Sequence, residues 1–187
     1  MSDLSKGRGR QCKTSVGGVS KLWLFPFTKY LRSQIVRNGL SLVTFPETII
    51  YEFESENINI TQDRQSENES GFYTQSVTVD FNKILVDDEL FKIVKQDYRA
   101  IIKDNNGNFR LFGAYNGMNA NLNRETGSSR ASFNGSKLTL EGKEIDEALF
   151  ISNLDSAGFI QQAGNYLALE DGVLMFTQDN QFIIIEE

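Results

Sequence analysis

No histidine occurs anywhere in the 187 residues, and cysteine occurs once, at Cys12. Without an imidazole, mechanisms built on Ser-His-Asp, Cys-His or His-bound metal have no centre. A lone cysteine excludes an intrachain disulfide framework and fits synthesis in a reducing compartment. The two prolines, Pro26 and Pro46, both fall early. No apolar run approaches the roughly 18 residues of a membrane span. The basic start leads into Gly and polar residues, not an apolar core, so no secretory signal is expected. These absences describe a soluble product of a cytoplasm, with no membrane partner, no cofactor and no metal.

What is present is aromatic mass, with 14 Phe, 6 Tyr and one Trp, and an uneven charge. Net charge is −6; Met1–Lys21 carries +4, the remainder −10, and Glu141–Glu187 alone −9. An acidic body repels a nucleic-acid backbone over most of its surface. Lys6, Arg8, Arg10 and Lys13 lie on a Gly-rich arm, read either as a solubilising tail or as a reach toward an acidic patch on a neighbouring copy. A basic arm on an acidic body is self-complementary in head-to-tail assembly. With Trp23 and Phe25 on the strand that follows, these four residues are the subunit-interface candidates.

The strand signals are many. Tyr98–Asn123 reads as a tightly turned meander, with Asn105-Asn106-Gly107 and Asn116-Gly117 as turns and Asn108–Tyr115 as one strand. Val19–Phe27, Thr48–Glu54, Asn57–Gln62, Phe72–Phe81 and Ser136–Gly142 also read as strands. Asp63–Ser70 reads as a polar loop, and Thr28–Phe45 fits a helical turn or a strand. One helix is expected near 85–96, where Leu85, Leu90, Phe91, Ile93 and Val94 recur at helical spacing, with Asp87 and Asp88 near its start and Lys92 and Lys95 near its end. Asp146–Asn153 reads as a short helical stretch, followed by strands around Tyr166–Leu169, Val173–Thr177 and Gln181–Ile185. The division that follows is a flexible arm at 1–18, a β core at 19–144 and an acidic, β-rich lobe at 145–187. The fold class is mainly β, with one helix packed on the core.

No constellation carries catalysis. Cys12 sits among Arg8, Arg10 and Lys13, which lower a thiol pKa, but it has no oriented partner. The acid pairs Asp87-Asp88, Glu144 with Asp146-Glu147, Glu170-Asp171 and Glu186-Glu187 read as solvated turns and a helix start. Asp104-Asn105-Asn106 resembles part of a calcium loop but lacks its alternating acids and closing Glu, so turn chemistry explains it better. The glycines at 7, 9, 17 and 18 match no phosphate-binding fingerprint. The chain reads as a building block, not an enzyme.

The order of segments, CKTSVGGVSKLWLF (Cys12–Phe25), then FYTQSVTVDF, a short helix, AIIKDNNGNFRLFGAYNGMNANL and TGSSRASFNGSKLTLEGKE (Thr126–Glu144), resembles virion structural proteins of tailed bacteriophages, including crAss-like phages. The resemblance covers about residues 8–144. It implies a tail-tube-like fold, a β-sandwich or small barrel with one flanking helix and a carboxyl-terminal β-rich extension, whose copies join sheets in a ring around a channel, with the arm and Asp63–Ser70 reaching into neighbours. The implied setting is the virion, in the tail or head-to-tail connector, with portal, tail or ring proteins as partners and DNA passing through an acidic lumen. The alternative is a β-sandwich module binding carbohydrate or protein through the aromatics of Phe109 to Tyr115. An enzyme using acid pairs is the remaining reading.

Overall fold

The computed structural model describes residues 17–53, 55, 57–67, 70–82, 88–126, 133–162, 175–176 and 182–183. The chain is mainly β. Strands β1 (Val19–Pro26), β2 (Val36–Asn38), β3 (Ser41–Thr44) and β4 (Thr48–Phe53) come first, with a 3-10 turn at Arg32–Gln34. The hairpin β5 (Asn57–Glu67) and β6 (Ser70–Asn82) precedes helix α1 (Asp88–Ile93). Strands β7 (Tyr98–Asp104), β8 (Phe109–Phe112), β9 (Asn119–Glu125), β10 (Gly135–Glu144) and β11 (Leu149–Ile151) follow. Helix α2 (Leu154–Ala157), strand β12 (Phe159–Gln162) and a small pair, β13 (Met175–Phe176) and β14 (Phe182–Ile183), complete the described elements.

Eight strands form one sheet in the order β12-β4-β1-β7-β8-β11-β3-β2, and four form a second, β5-β6-β10-β9. The central strands of the larger sheet are apolar on both faces. On β1, Leu22 and Leu24 point one way and Trp23 and Phe25 the other; on β7, Ala100 and Ile102 oppose Ile101. Continuous apolar runs of this kind mark a strand covered on both sides.

The smaller sheet covers the first face, placing Val77, Val79, Leu138 and Leu140 against Leu22, Leu24, Ala100 and Ile102. Its strands run across those of the larger sheet. Phe53 of β4 meets Phe81 of β6 at a centroid distance of 6.4 Å. Gln62, five residues along β5, accepts from the Ala148 N–H at 2.9 Å, just ahead of β11. A strand that passes from the β4 side to the β11 side crosses the sheet at a large angle, the orthogonal packing of two sheets.

The other face is covered by the sheet itself. Strands β3 and β4 stand five places apart in the strand order, yet only Phe45, Pro46 and Glu47 join them. In a flat sheet that separation is about 24 Å. The link spans at most about 14 Å, so the sheet must curl. The curl is fastened where Phe45 N–H donates to Ala157 O at 2.8 Å and Thr48 N–H donates to Gly158 O at 3.0 Å. Inside, Phe45 stacks on Phe159 at 5.1 Å and meets Phe25 edge-on at 5.9 Å, while Trp23, Ile101, Leu111 and Leu149 fill the remainder. The result is a half-barrel with one orthogonal sheet laid across it.

Several expectations are corrected. Asp63–Ser70 is not a loop: β5 continues to Glu67 and β6 begins at Ser70. The last cross-strand pairs, Gln65 with Phe72 through Glu67 with Ser70, lie beyond the end of β10, so this ribbon has no core to cover and no apolar alternation to betray it. Asn108–Tyr115 is not one strand, because Gly113 turns at φ +67° and carries the chain to the second sheet. The expected meander is therefore one hairpin, β7–β8, followed by a crossover. Asp146–Asn153 is not helical, since Leu149 and Ile151 are buried around exposed Phe150 as β11 pairs with β8 and β3. Residues 149–151 and 159–162, expected in a carboxyl-terminal lobe, are strands of the larger sheet. The helix is confirmed over Asp88–Ile93 with Leu90 and Ile93 buried, but Phe91 and Val94 are exposed. Residues 83–87, the amino-terminal arm to residue 16, and the expected strand Tyr166–Leu169 lie outside the described residues.

Gly158 caps α2 at φ +99°, and an added Cβ would stand 2.4 Å from the Phe45 carbonyl oxygen that precedes β4. Gly158→Ala combines left-handed strain with a backbone clash at the barrel seam, at a cost of about 1–3 kcal/mol or more. Guanidinium unfolding should show the midpoint falling accordingly; an unchanged midpoint would mean the seam is not structurally required.

Candidate functional site

The outward face of the four-stranded sheet is the most distinctive surface. Cross-strand register sorts its side chains into rows. Asn57, Asp80, Lys137 and Asn123 form one row; Asn59, Thr78, Thr139 and Asn121 the next; Thr61, Ser76, Glu141 and Asn119 the third. Asp63, Thr74 and Lys143 begin a fourth. None is aliphatic or aromatic. The alternate residues of the same strands, Val77, Val79, Leu138 and Leu140, are fully buried. A period of two therefore separates a dry face from a polar one, which Phe72 closes at its far end with its ring 4.8 Å from Lys143 Nζ.

That polar face is concave. A trough of ≈ 570 Å³ is lined by Thr74, the three asparagines of β9, Lys137, Thr139, Glu141 and Lys143. Its charges are few and of mixed sign, with Asp63, Asp80, Glu125 and Glu141 against Lys137 and Lys143. Lys137 and Asp80 are paired at 3.6 Å. Hydroxyls and carboxamides make up the rest, so the face is well hydrated with no concentrated field. Among the described residues both borders of the sheet, β5 and β9, are unpaired, leaving rows of backbone donors and acceptors open to another strand.

Buried polar groups hold this sheet in place. Gln75 accepts from Gly113 N–H at 2.9 Å and donates to Asp146 O at 3.3 Å. Glu144 Oε1 accepts from Tyr115 N–H at 3.0 Å and Asn116 N–H at 2.8 Å. Arg99 donates to Ala114 O at 3.2 Å and to Thr28 O at 2.8 Å, with its guanidinium over Phe27 at 4.3 Å and Tyr30 at 5.1 Å. These residues converge on the 113–117 crossover, the point where the chain passes from the larger sheet to the smaller one. Burial pushes the Glu144 carboxyl above its ordinary range, against the pull of those backbone donors and of Arg99. Burial likewise lowers Arg99 to about 10, opposed by Tyr30 and Glu144.

The residues singled out from sequence fare unevenly. Lys6, Arg8, Arg10, Cys12 and Lys13 lie outside the described residues. Trp23 and Phe25 are not interface residues: they are 2% and 0% exposed, because their positions on β1 face the barrel interior. The aromatics of Phe109 to Tyr115 form no exposed platform. Phe112 is buried, Phe109 packs on Trp23 at 5.9 Å, and Tyr115 lies beneath Arg32 and Arg37. Asp104 is committed to its turn, accepting from Asn106 N–H, Asn108 N–H and Asn108 Nδ2, each at 2.9 Å. Burial alone would raise its carboxyl, but those bonds and Arg110 hold it lower. Among the described residues no cluster of His, Cys, Asp or Glu could hold a metal. No helix among them is long and apolar enough to cross a membrane. The polar face itself was signalled by NINIT, TQSVTVD, NANLN and KLTLE, four segments alternating polar and apolar residues.

No protein-family model, curated protein or solved structure matches the chain.

Because the folded carboxyl of Glu144 binds its proton more tightly than the unfolded one, its contribution is most favourable at acid pH. It falls as pH rises from the unfolded value, about 4.3, through the raised folded value, then levels. Glu144→Gln should remove that fall. The wild-type minus variant difference in unfolding free energy should therefore decrease with rising pH and then flatten; a difference that rises with pH would contradict the burial account.

Proposed function

We propose that the protein is a structural ring component of a tailed-phage virion, in the tail or head-to-tail connector, whose copies close a channel for DNA and ejected proteins. The single observation that carries this reading is the four-stranded sheet with a dry inner face, a polar concave outer face and two borders that no described strand pairs. A monomer gains nothing from leaving both borders unpaired. In a closed ring each β5 meets the β9 of the next copy, both borders of this sheet are satisfied, and the concave face becomes a continuous polar lining.

The lining differs from the acidic one implied by the family resemblance. With amide and hydroxyl side chains and few charges of mixed sign, it offers phosphates neither a cationic grip nor strong repulsion. DNA would pass over water-covered dipoles. The chain's acidic charge is concentrated in the sequence after Lys143. The two-stranded ribbon at the end of β5 and β6 projects beyond β10 and suits contact with a neighbouring copy or ring.

Asn59 and Asn121 lie in one row on opposite borders. Replacing both with Lys places like charges across every joint, which is destabilising, whereas Asn59→Lys with Asn121→Asp restores complementarity. Native mass spectrometry should find rings of the wild type, smaller species for the double-lysine variant and recovered rings for the charge-paired one. A wild-type monomer at high concentration, or identical assemblies from all three, would refute the ring through these borders.

A further inference from the structure

The inward side chains of the half-barrel fall in layers set by strand register. Trp23 is the cross-strand partner of Ile101, and Ile101 pairs in turn with Leu111, a dry layer. Two residues nearer the β7–β8 turn the layer changes character, with Lys21 paired to Lys103 and Lys103 to Phe109. Like charges directly opposite one another are destabilising, and only one of these is answered, Lys21 by Glu52 at 2.6 Å. Among the described residues Lys103 meets no carboxylate. Its Nζ stands instead 5.3 Å from the centre of the Phe109 ring.

A cavity of ≈ 270 Å³ lies at this layer, lined by Lys21, Trp23, Lys103 and Phe109 together with Ser152 and Asp155 beside and within α2. Trp23 is the single tryptophan of the chain and is 2% exposed. Its indole N–H is buried and finds no acceptor among the described residues, a costly state for a donor removed from water. One small volume therefore gathers an unanswered cation, an unmatched N–H and two aromatic rings. It falls below the roughly 300–1,000 Å³ of sites for drug-sized ligands. Lys21 and Lys103 are offset by Glu52 and Asp155, so no excess of positive charge is present to hold a polyanion.

We infer that this cavity binds a single carboxylate, one oxygen accepting from Trp23 Nε1 and the other from Lys103 Nζ, with the apolar part of the ligand against Trp23 and Phe109. Charge-assisted bonds of this kind are the strong ones, and they would satisfy both unmatched groups at once. The long lysine stems form the movable wall above the indole, with the Lys21 side chain 46% exposed, so a carboxylate reaches Nε1 by shifting side chains and no backbone. Two sources present the same group, a small organic acid and an acidic side chain of a second copy. The site lies away from β5 and β9, so its failure leaves the ring standing.

The lone tryptophan makes the test direct, since its fluorescence in the full-length protein reports on this cavity alone. Cyclohexanecarboxylate is the probe and cyclohexanecarboxamide its uncharged counterpart. The acid should change Trp23 emission saturably and the amide should not. Lys103→Met should weaken the acid by about tenfold or more, while Lys103→Arg retains binding. If a second copy is the natural source, emission of the protein without probe also shifts on dilution, and the acid abolishes that shift. Emission that ignores dilution assigns the site to a free acid. No saturable response, an equal response to the amide, or undiminished affinity in Lys103→Met would overturn the inference.

Discussion

The larger sheet is apolar on both faces, and every other feature follows from the need to cover both. Large side chains such as Trp23, Phe25, Leu22, Leu24, Ile101 and Ile102 are each worth roughly 1.5–3 kcal/mol when fully buried. No single-layer solution keeps them dry. The chain meets the need asymmetrically: a second sheet lies over one face, and the sheet's own curl closes over the other. Because the curl consumes the outer strands of the larger sheet, no described element lies above the smaller sheet. Its outer face must be polar, and it is.

Against that apolar framework, the buried polar residues set geometry and add little net stability. A net hydrogen bond contributes on the order of 1 kcal/mol, less than one buried leucine. Yet Gln75 and Glu144 tie the smaller sheet to the 113–117 crossover, Gln62 ties it to the start of β11, and Arg99 ties the crossover to β7. Losing one partner would strand another in a dry place, so the angle between the sheets is held by the cost of misplacement. A channel-forming face benefits from that rigidity, since a ring closes only if every copy presents its borders at the same angle.

Much of this was legible in the sequence where alternation met burial. VSKLWLFP, TIIYEF and SVTVDF announce strands because one or both of their faces are dry. The turn at Asn105–Gly107 was legible because its chemistry is local, in Asp104, Gly107 and Asn108. Two kinds of element were not. The ribbon Asp63–Glu67 is polar on both faces and so resembles a loop. Strand β11 is only three residues long, too short for a period of two to be told from a helical one. The inward direction of Trp23 and Phe25 was also hidden, because a strand apolar on both faces gives no sign of which side meets solvent. The polar face was present in four alternating segments, but its assembly into rows depends on long-range register that only the fold supplies.

The most direct test is an electron cryomicroscopy reconstruction of the purified full-length protein at assembling concentration. The account predicts a closed ring in which β5 of each copy pairs with β9 of the next and Asn121, Thr139 and Thr78 face the central channel. A ring with that sheet turned outward, or with β5 and β9 unpaired, would contradict it.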